Sequence, residues 1–330
     1  MKKKSGFLAA VAFFAAAVFL TGCSGSGKSG EPDKKSKEPI SVVTTSFSGY
    51  DWTRQILGDS SENVEVTLLG IGTDIHNYQP TIDDILKISK SDIFIYSGGE
   101  SEEWVRDALE DAENKDKKVI NFLEILGSNA KEEETVEGMK EVRGEEESWE
   151  EDEPEYDEHV WLSLKNAEIF CESIADALAE ADKSHADEYM RNAAAYEDKL
   201  KDLDARYKKW AEESDVQTLV FADRFPFRYL TDDYGLDYIA AFAGCSAETE
   251  ASFSTIAFLT DKVDELGVKS IFKIDGGSSK IAETIIRNTK TKDQKILTLD
   301  SLQAVTGADI KSGKTYLSAM EGNLTCLTRR

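Results

Sequence analysis

The sequence predicts an α/β protein of two parallel-sheet lobes joined by one long rigid helix. Three observations lead there. Short β-branched runs alternate with helix-patterned segments through the first half of the chain, and the same rhythm returns in the second half. Between the halves, a stretch without Pro or Gly carries apolar residues at alternating spacings of four and three. Strand–helix alternation is the pattern of a parallel sheet covered on both faces, because each crossover helix lies against the sheet it connects.

In the first lobe, strands are expected over residues 40–45, 64–69, 93–96 and 119–122, with helices over 51–57, 82–89 and 102–112. In the second, strands are expected over 218–222, 238–242, 270–274 and 296–299, with helices over 227–234, 255–266 and 280–288. The connecting helix is expected over 185–213. Tyr189, Ala193, Tyr196, Leu200, Leu203, Tyr207 and Trp210 paint one stripe along it. At 1.5 Å per residue it spans roughly 40 Å, enough to run the height of both lobes. A coiled-coil dimer seam is the rival reading. The mix of tyrosines and alanines makes an irregular seam and favours packing within the chain.

The amino terminus reads as an export signal. Lys2, Lys3 and Lys4 precede an apolar run over 7–20 that is too short to span a bilayer comfortably, followed by Leu20-Thr21-Gly22-Cys23. That tetrapeptide resembles the lipobox of bacterial lipoproteins, which implies cleavage before Cys23 and lipid on its sulfur. The expected layout is a signal peptide over 1–22, a lipidated Cys23 with a Ser/Gly/Lys-rich tether over 23–39, a first lobe over 40–182, a linking helix over 183–214 and a second lobe over 215–330. The formal charge of -25 argues against nucleic acid or an anionic membrane surface as a partner. Residues 131–158 hold 15 acidic and three basic residues, which predicts a self-repelling mobile loop, at most a weak gatherer of cations. In an oxidising compartment Cys245 and Cys326 can pair. Burial as small apolar residues is the equal alternative.

Three histidines are the main candidates for chemistry, imidazole being the commonest ligand for zinc and related metals. His76 follows the strand over 64–69, where the carboxyl ends of strands in open α/β sheets hold ligands. His159 sits where the acidic loop ends and a helix is about to begin. His185, amid Lys183, Asp187 and Glu188, reads as an ordinary solvent-facing residue. Among the motifs sought, no HExxH, CxxC or G-x-S-x-G accompanies them. Residue chemistry alone therefore reaches a metal site in a bilobed exported protein.

Further residues carry a resemblance. Asp74, His76, Tyr78 and Pro80, Ser91-Asp92, Gly98-Gly99 and Glu103-Trp104 come first. His159-Val160-Trp161-Leu162 follow with Asn166-Ala167, then Tyr189 and Asn192. Later come Tyr229-Leu230, Tyr234-Gly235-Leu236, Glu250-Ala251-Ser252, and Tyr316 through Asn323-Leu324. In this order they resemble the TroA-like family, the zinc and manganese receptor lipoproteins of ABC importers, over nearly all of the mature chain. The resemblance implies a metal held in a cleft between lobes of periplasmic-binding-protein type. His76 and His159 match its first two ligand positions. Its third is usually His or Glu. An ungapped match places Arg224 there, which cannot ligate, and a shift of one residue places Asp223 there, which can. Asp275, one residue beyond the simple match, is the candidate fourth ligand, and Glu250 is at most an outer-shell residue. Asp223 can instead pair with Arg224 or Arg228 or cap a helix, and Asp275 can serve the turn into Gly276-Gly277.

The expected function is capture of a divalent metal outside the cytoplasm, on a membrane anchor, and its delivery to an ABC permease. Zinc is the expected ion and manganese the alternative. An exported metallohydrolase would need an open coordination position and a base such as Asp223. A structural-metal adhesin would unfold when the metal is removed. Affinity is expected to fall below about pH 6 as His76 and His159 protonate.

Overall fold

Four parallel strands build each of two sheets. β1 (Ile40–Thr44), β2 (Val64–Leu68), β3 (Ile93–Tyr96) and β4 (Lys118–Asn121) lie in the order β2-β1-β3-β4. β5 (Thr218–Phe225), β6 (Asp237–Ala243), β7 (Ser270–Ile274) and β8 (Lys295–Leu299) repeat it as β6-β5-β7-β8. This computed structural model describes residues 39–110, 112–139, 155–246 and 250–329. The expected signal segment, Cys23, nearly all of the tether and the middle of the acidic segment lie outside the described residues. Among the described residues no helix is long and apolar enough to cross a membrane.

Helices α1 (Phe47–Leu57), α2 (Ile82–Lys90), α3 (Trp104–Glu110), α4 (Phe122–Leu126) and α5 (Leu164–Ala181) surround the first sheet. The long α6 (Ala186–Glu213) follows. α7 (Arg228–Tyr234), α8 (Phe253–Leu266), α9 (Lys280–Asn288), α10 (Gly307–Lys311) and α11 (Tyr316–Thr328) belong to the second half. α1 begins four residues before its expected start because the Ser46 side chain accepts from the Gly49 N–H and caps it. Thr81 and Asp84 form a reciprocal capping box at α2.

Six residues of the expected stripe on α6 are buried: Tyr189, Ala193, Tyr196, Leu200, Leu203 and Tyr207. They face α5, α1 and α11 of the same chain, so the stripe is an intramolecular seam. Asn192 Nδ2 donates to the Ile56 carbonyl at 2.9 Å, and the Tyr207 hydroxyl donates to the Met320 carbonyl at 2.6 Å. The helix is thereby fastened near one end to α1 and near the other to α11. α11 also reaches back to the first lobe. Its Tyr316 N–H donates to Asp51 Oδ2 at 2.8 Å, and the Tyr316 ring meets Trp52 edge-on at 4.9 Å. Trp52, Phe122, Phe170 and Tyr316 are all essentially buried, and Phe122 stacks on Phe170 at 4.2 Å. Burial of side chains this large contributes about 2–3 kcal/mol each.

The described ends of the acidic segment are held in place. Glu132 and Tyr156 form an antiparallel bridge, and the Glu133 N–H donates to the Glu155 carbonyl at 2.8 Å. Lys131 pairs with Asp232 and Glu134 with Arg228, so the start of this segment lies against the second lobe. The expectation of one mobile loop over 131–158 is therefore corrected at both ends; residues 140–154 lie outside the described residues.

Candidate metal site

His76 rides on a single 3₁₀ turn, Ile75–Asn77, after β2. Asp74 caps this turn by accepting from the His76 N–H at 3.1 Å. His159 opens a second 3₁₀ turn, Val160–Leu162, ahead of α5. Its own N–H donates to Asp157 Oδ1 at 2.8 Å, and its Nδ1 lies 3.0 Å from the same oxygen. That carboxylate accepts a hydrogen bond from Nδ1–H, which keeps the proton on Nδ1 and leaves Nε2 as a lone-pair donor. His76 Nδ1 faces Ser101 Oγ at 2.7 Å and Glu158 Oε2 at 3.6 Å, which directs its Nε2 lone pair inward in the same way.

The two Nε2 atoms consequently face each other at 3.0 Å. Two lone pairs at that separation repel unless a cation or a hydrogen-bond donor lies between them. Here the donor is Gln303, from the segment after β8. Its Nε2 sits 2.8 Å from His76 Nε2 and 2.6 Å from His159 Nε2. Its Oε1 is buried without a hydrogen-bond partner. The ligand atoms of His76, His159 and Cys245 all lie within 4.8 Å of one another. Among the described residues this is the one group of three or more His, Cys, Asp or Glu side chains so gathered.

Burial, the neighbouring His159 and the Arg224 guanidinium hold the His76 imidazole down at about pKa 3, against the pull of Asp74. Burial raises Asp74, but the hydrogen bond and charge of Arg224 outweigh it and leave the carboxyl below its usual range. Burial raises Glu158. Gly99, at φ +89°, gives Glu158 room: a Cβ there would lie 2.4 Å from Glu158 Cγ.

The other expected site residues have different partners. Asp223 lies where the register of β5 shifts between Phe221 and Arg224. Its Oδ1 accepts from the Arg224 N–H at 2.9 Å and its Oδ2 from the Ile274 N–H at 3.2 Å, tying β5 to β7. Asp275 Oδ1 accepts from the Ser301 N–H at 2.6 Å and hydroxyl at 2.7 Å, holding the segment that presents Gln303. Neither joins the gathered group, and Glu250 is exposed. Arg224 turns its Nη2 to Asp74 Oδ2 at 2.5 Å. His185 bonds Asp182 at 2.7 Å, at the start of α6.

Cys245 and Gln303 were not legible as site residues. Cys171, Cys245 and Cys326 are free thiols, so the Cys245–Cys326 pairing does not form. The one available signal was position: Cys245 follows β6 by two residues and Gln303 follows β8 by four, both at carboxyl ends of strands. A cavity of about 760 Å³ is lined by Cys245, Glu100, Glu103, Glu133, Glu155 and Glu158 among others.

Residues 42–329 match the family described as zinc-uptake complex component A, periplasmic. The chain is 32% identical over 328 residues to a zinc-binding lipoprotein AdcA of Streptococcus pneumoniae, covering 99% of this chain but 60% of that relative. It is 28% identical over 329 residues to the high-affinity zinc uptake system protein ZnuA of Bacillus subtilis, covering 99% and 97%. The crystal structure of Zn(II)-bound AdcA from Streptococcus pneumoniae superposes with a TM-score of 0.68 at 31% identity, over 88% of this chain and 57% of that one. The chain thus spans roughly 60% of the length of the streptococcal relative and nearly all of the bacillary one. With two like-ordered parallel sheets, a long connecting helix and this match, the chain belongs to the zinc-uptake complex component A family.

Proposed function

We propose that this protein is the receptor of a zinc importer. It captures Zn²⁺ as its cargo between the two lobes, with His76 and His159 as ligands, and hands it to an ABC permease. One observation carries the reading: two imidazole Nε2 atoms converge at 3.0 Å, and that of His159 is set by a carboxylate behind its Nδ1. This carboxylate–histidine arrangement orients ligands for a metal and raises their basicity. The names of the relatives and the zinc-bound neighbour support the same ion. Paired imidazoles suit zinc better than manganese, which prefers oxygen donors.

The family description is of a periplasmic component, which supports an extracytoplasmic place. Cys23 would carry the lipid that keeps the receptor at the membrane near its permease. The chain performs no catalysis in this reading; the metal is released unchanged.

Titration calorimetry of the full chain with zinc and then manganese tests the proposal, beside a His76→Ala/His159→Ala variant. Tight one-to-one zinc binding that the variant loses is the expected result. Equal, weak binding by both proteins would leave only diffuse attraction by the acidic segment and sink the reading.

A further inference from the structure

The third donor of the gathered group comes from the other lobe. Cys245 follows β6, and its backbone N–H donates to Glu133 Oε1 at 3.3 Å, which fastens its loop to the first lobe. Gly244 lets the same loop rest on the histidine: a Cβ there would lie 2.9 Å from His159 Cε1. Cys245 is thus held beside two imidazoles by contacts on both sides of it. In a tetrahedral zinc site with Zn–N near 2.0–2.1 Å and Zn–S near 2.3 Å, ligand atoms stand roughly 3.4–3.6 Å apart. The three atoms here lie within 4.8 Å of one another, so small side-chain adjustments close them onto one ion.

A second observation points to a ligand at this place. Gln303 is 7% exposed, touches both Nε2 atoms, and keeps its Oε1 without a partner. A half-turn of that amide replaces its nitrogen by the unpartnered oxygen.

We propose that Cys245 is the third metal ligand of this receptor, its thiolate joining His76 and His159 in a sulfur-containing site. The inference rests on the zinc-receptor reading above and deepens it. The S–Zn bond forms as the thiol proton leaves to solvent, with no change of oxidation state. A thiolate is a soft donor that favours zinc and disfavours manganese. It also makes the second lobe part of the coordination sphere, although Arg224 stands at the position where the resemblance expected a ligand.

Cobalt(II) makes the sulfur visible, because a thiolate on cobalt gives intense charge-transfer absorption in the near ultraviolet. The full chain is loaded with Co²⁺ beside Cys245→Ser, Cys326→Ser and His76→Ala/His159→Ala, and zinc affinities are measured on the same proteins. The wild type and Cys326→Ser should show the band, and Cys245→Ser should lose it. Cys245→Ser should also bind zinc at least 100-fold more weakly, beyond the 10–100-fold typical of outer-shell changes. Cys245→Asp should retain one-to-one binding with a smaller preference for zinc over manganese. If the wild type binds cobalt and zinc through the histidines without the band, and Cys245→Ser keeps wild-type zinc affinity, the cysteine assignment is overturned while the receptor reading stands. If the histidine variant binds as the wild type does, the receptor reading itself fails.

Discussion

Arg224 Nη2 lies 2.5 Å from Asp74 Oδ2, so a cation on the second lobe grips the residue that caps the turn carrying His76. The side chains are 15% and 18% exposed, which puts the pair between a surface and a buried ion pair. Removing Arg224 leaves Asp74 without its partner, at a cost of about 1–3 kcal/mol. It also takes a positive charge away from the proposed metal site. Arg224→Met should therefore unfold at lower denaturant while binding zinc at least as tightly as the wild type. A double-mutant cycle with Asp74→Asn, read by urea unfolding, should show a coupling energy; strict additivity would mean the contact contributes nothing.

In the proposed site, Asp157 acts on the metal through His159. Its Oδ1 receives both the backbone N–H and Nδ1 of that residue, which sets the ring's orientation and tautomer. Asp157→Ala should weaken zinc binding by about 10–100-fold. Asp157→Asn keeps an acceptor oxygen and should lose less. Calorimetry of both variants checks the order, and equal losses would show that the carboxylate's charge rather than its geometry matters.

The features legible in the sequence were local ones. The stripe on α6 is a periodic property of its own residues, and the strands announced themselves by β-branched runs. His76 and His159 were legible because few histidines occur and both sit in loops. The site's other members are not local properties. Cys245 and Gln303 reach the histidines only because the ends of β6 and β8 meet turns from the first lobe, a packing outcome with no short-range mark. Asp223, late in β5, and Asp275, just after β7, have the chemistry of metal ligands. Their carboxylates nonetheless accept from Arg224, Ile274 and Ser301, and this competition appears only once the second sheet is assembled. The start of α11 matched the family pattern, but its contact with Asp51, 265 residues away, could not be read from it.

Glu102 gives the fold a pH dependence of its own. Burial pushes its carboxyl up to about 7, against the Ser97 and Gly98 N–H groups that donate to Oε2 at 2.8 and 2.9 Å. A raised carboxyl keeps its proton in the folded state after the unfolded chain has lost it. The folded protein therefore loses stability as pH climbs from about 4.5 to about 7, by roughly 3 kcal/mol in total. Glu102→Gln keeps an acceptor oxygen and removes the titration. Its stability advantage over the wild type should be small near pH 4.5 and grow to roughly that size by pH 8. Denaturant unfolding across this range checks it, and a constant difference would mean that Glu102 titrates as an ordinary surface carboxyl.

Gln303 occupies the place where the proposed zinc would meet the histidines. Its amide nitrogen satisfies both lone pairs at 2.8 and 2.6 Å, while its oxygen has no partner. A cation approaching the imidazoles must displace that nitrogen, and rotation of the amide offers the oxygen as a further ligand. Gln303→Ala should then weaken zinc binding about 10-fold, the loss of one neutral oxygen donor outweighing the two hydrogen bonds no longer broken. Gln303→Glu places a charged oxygen at the same reach and supplies no donor to hold the imidazoles together. It should bind zinc more tightly than the wild type and gain proportionally more for manganese, which favours carboxylate oxygen. Competition titrations with both metals separate the cases. Tighter zinc binding by Gln303→Ala would show that the glutamine is only an obstacle, its hydrogen bonds being what the metal must break.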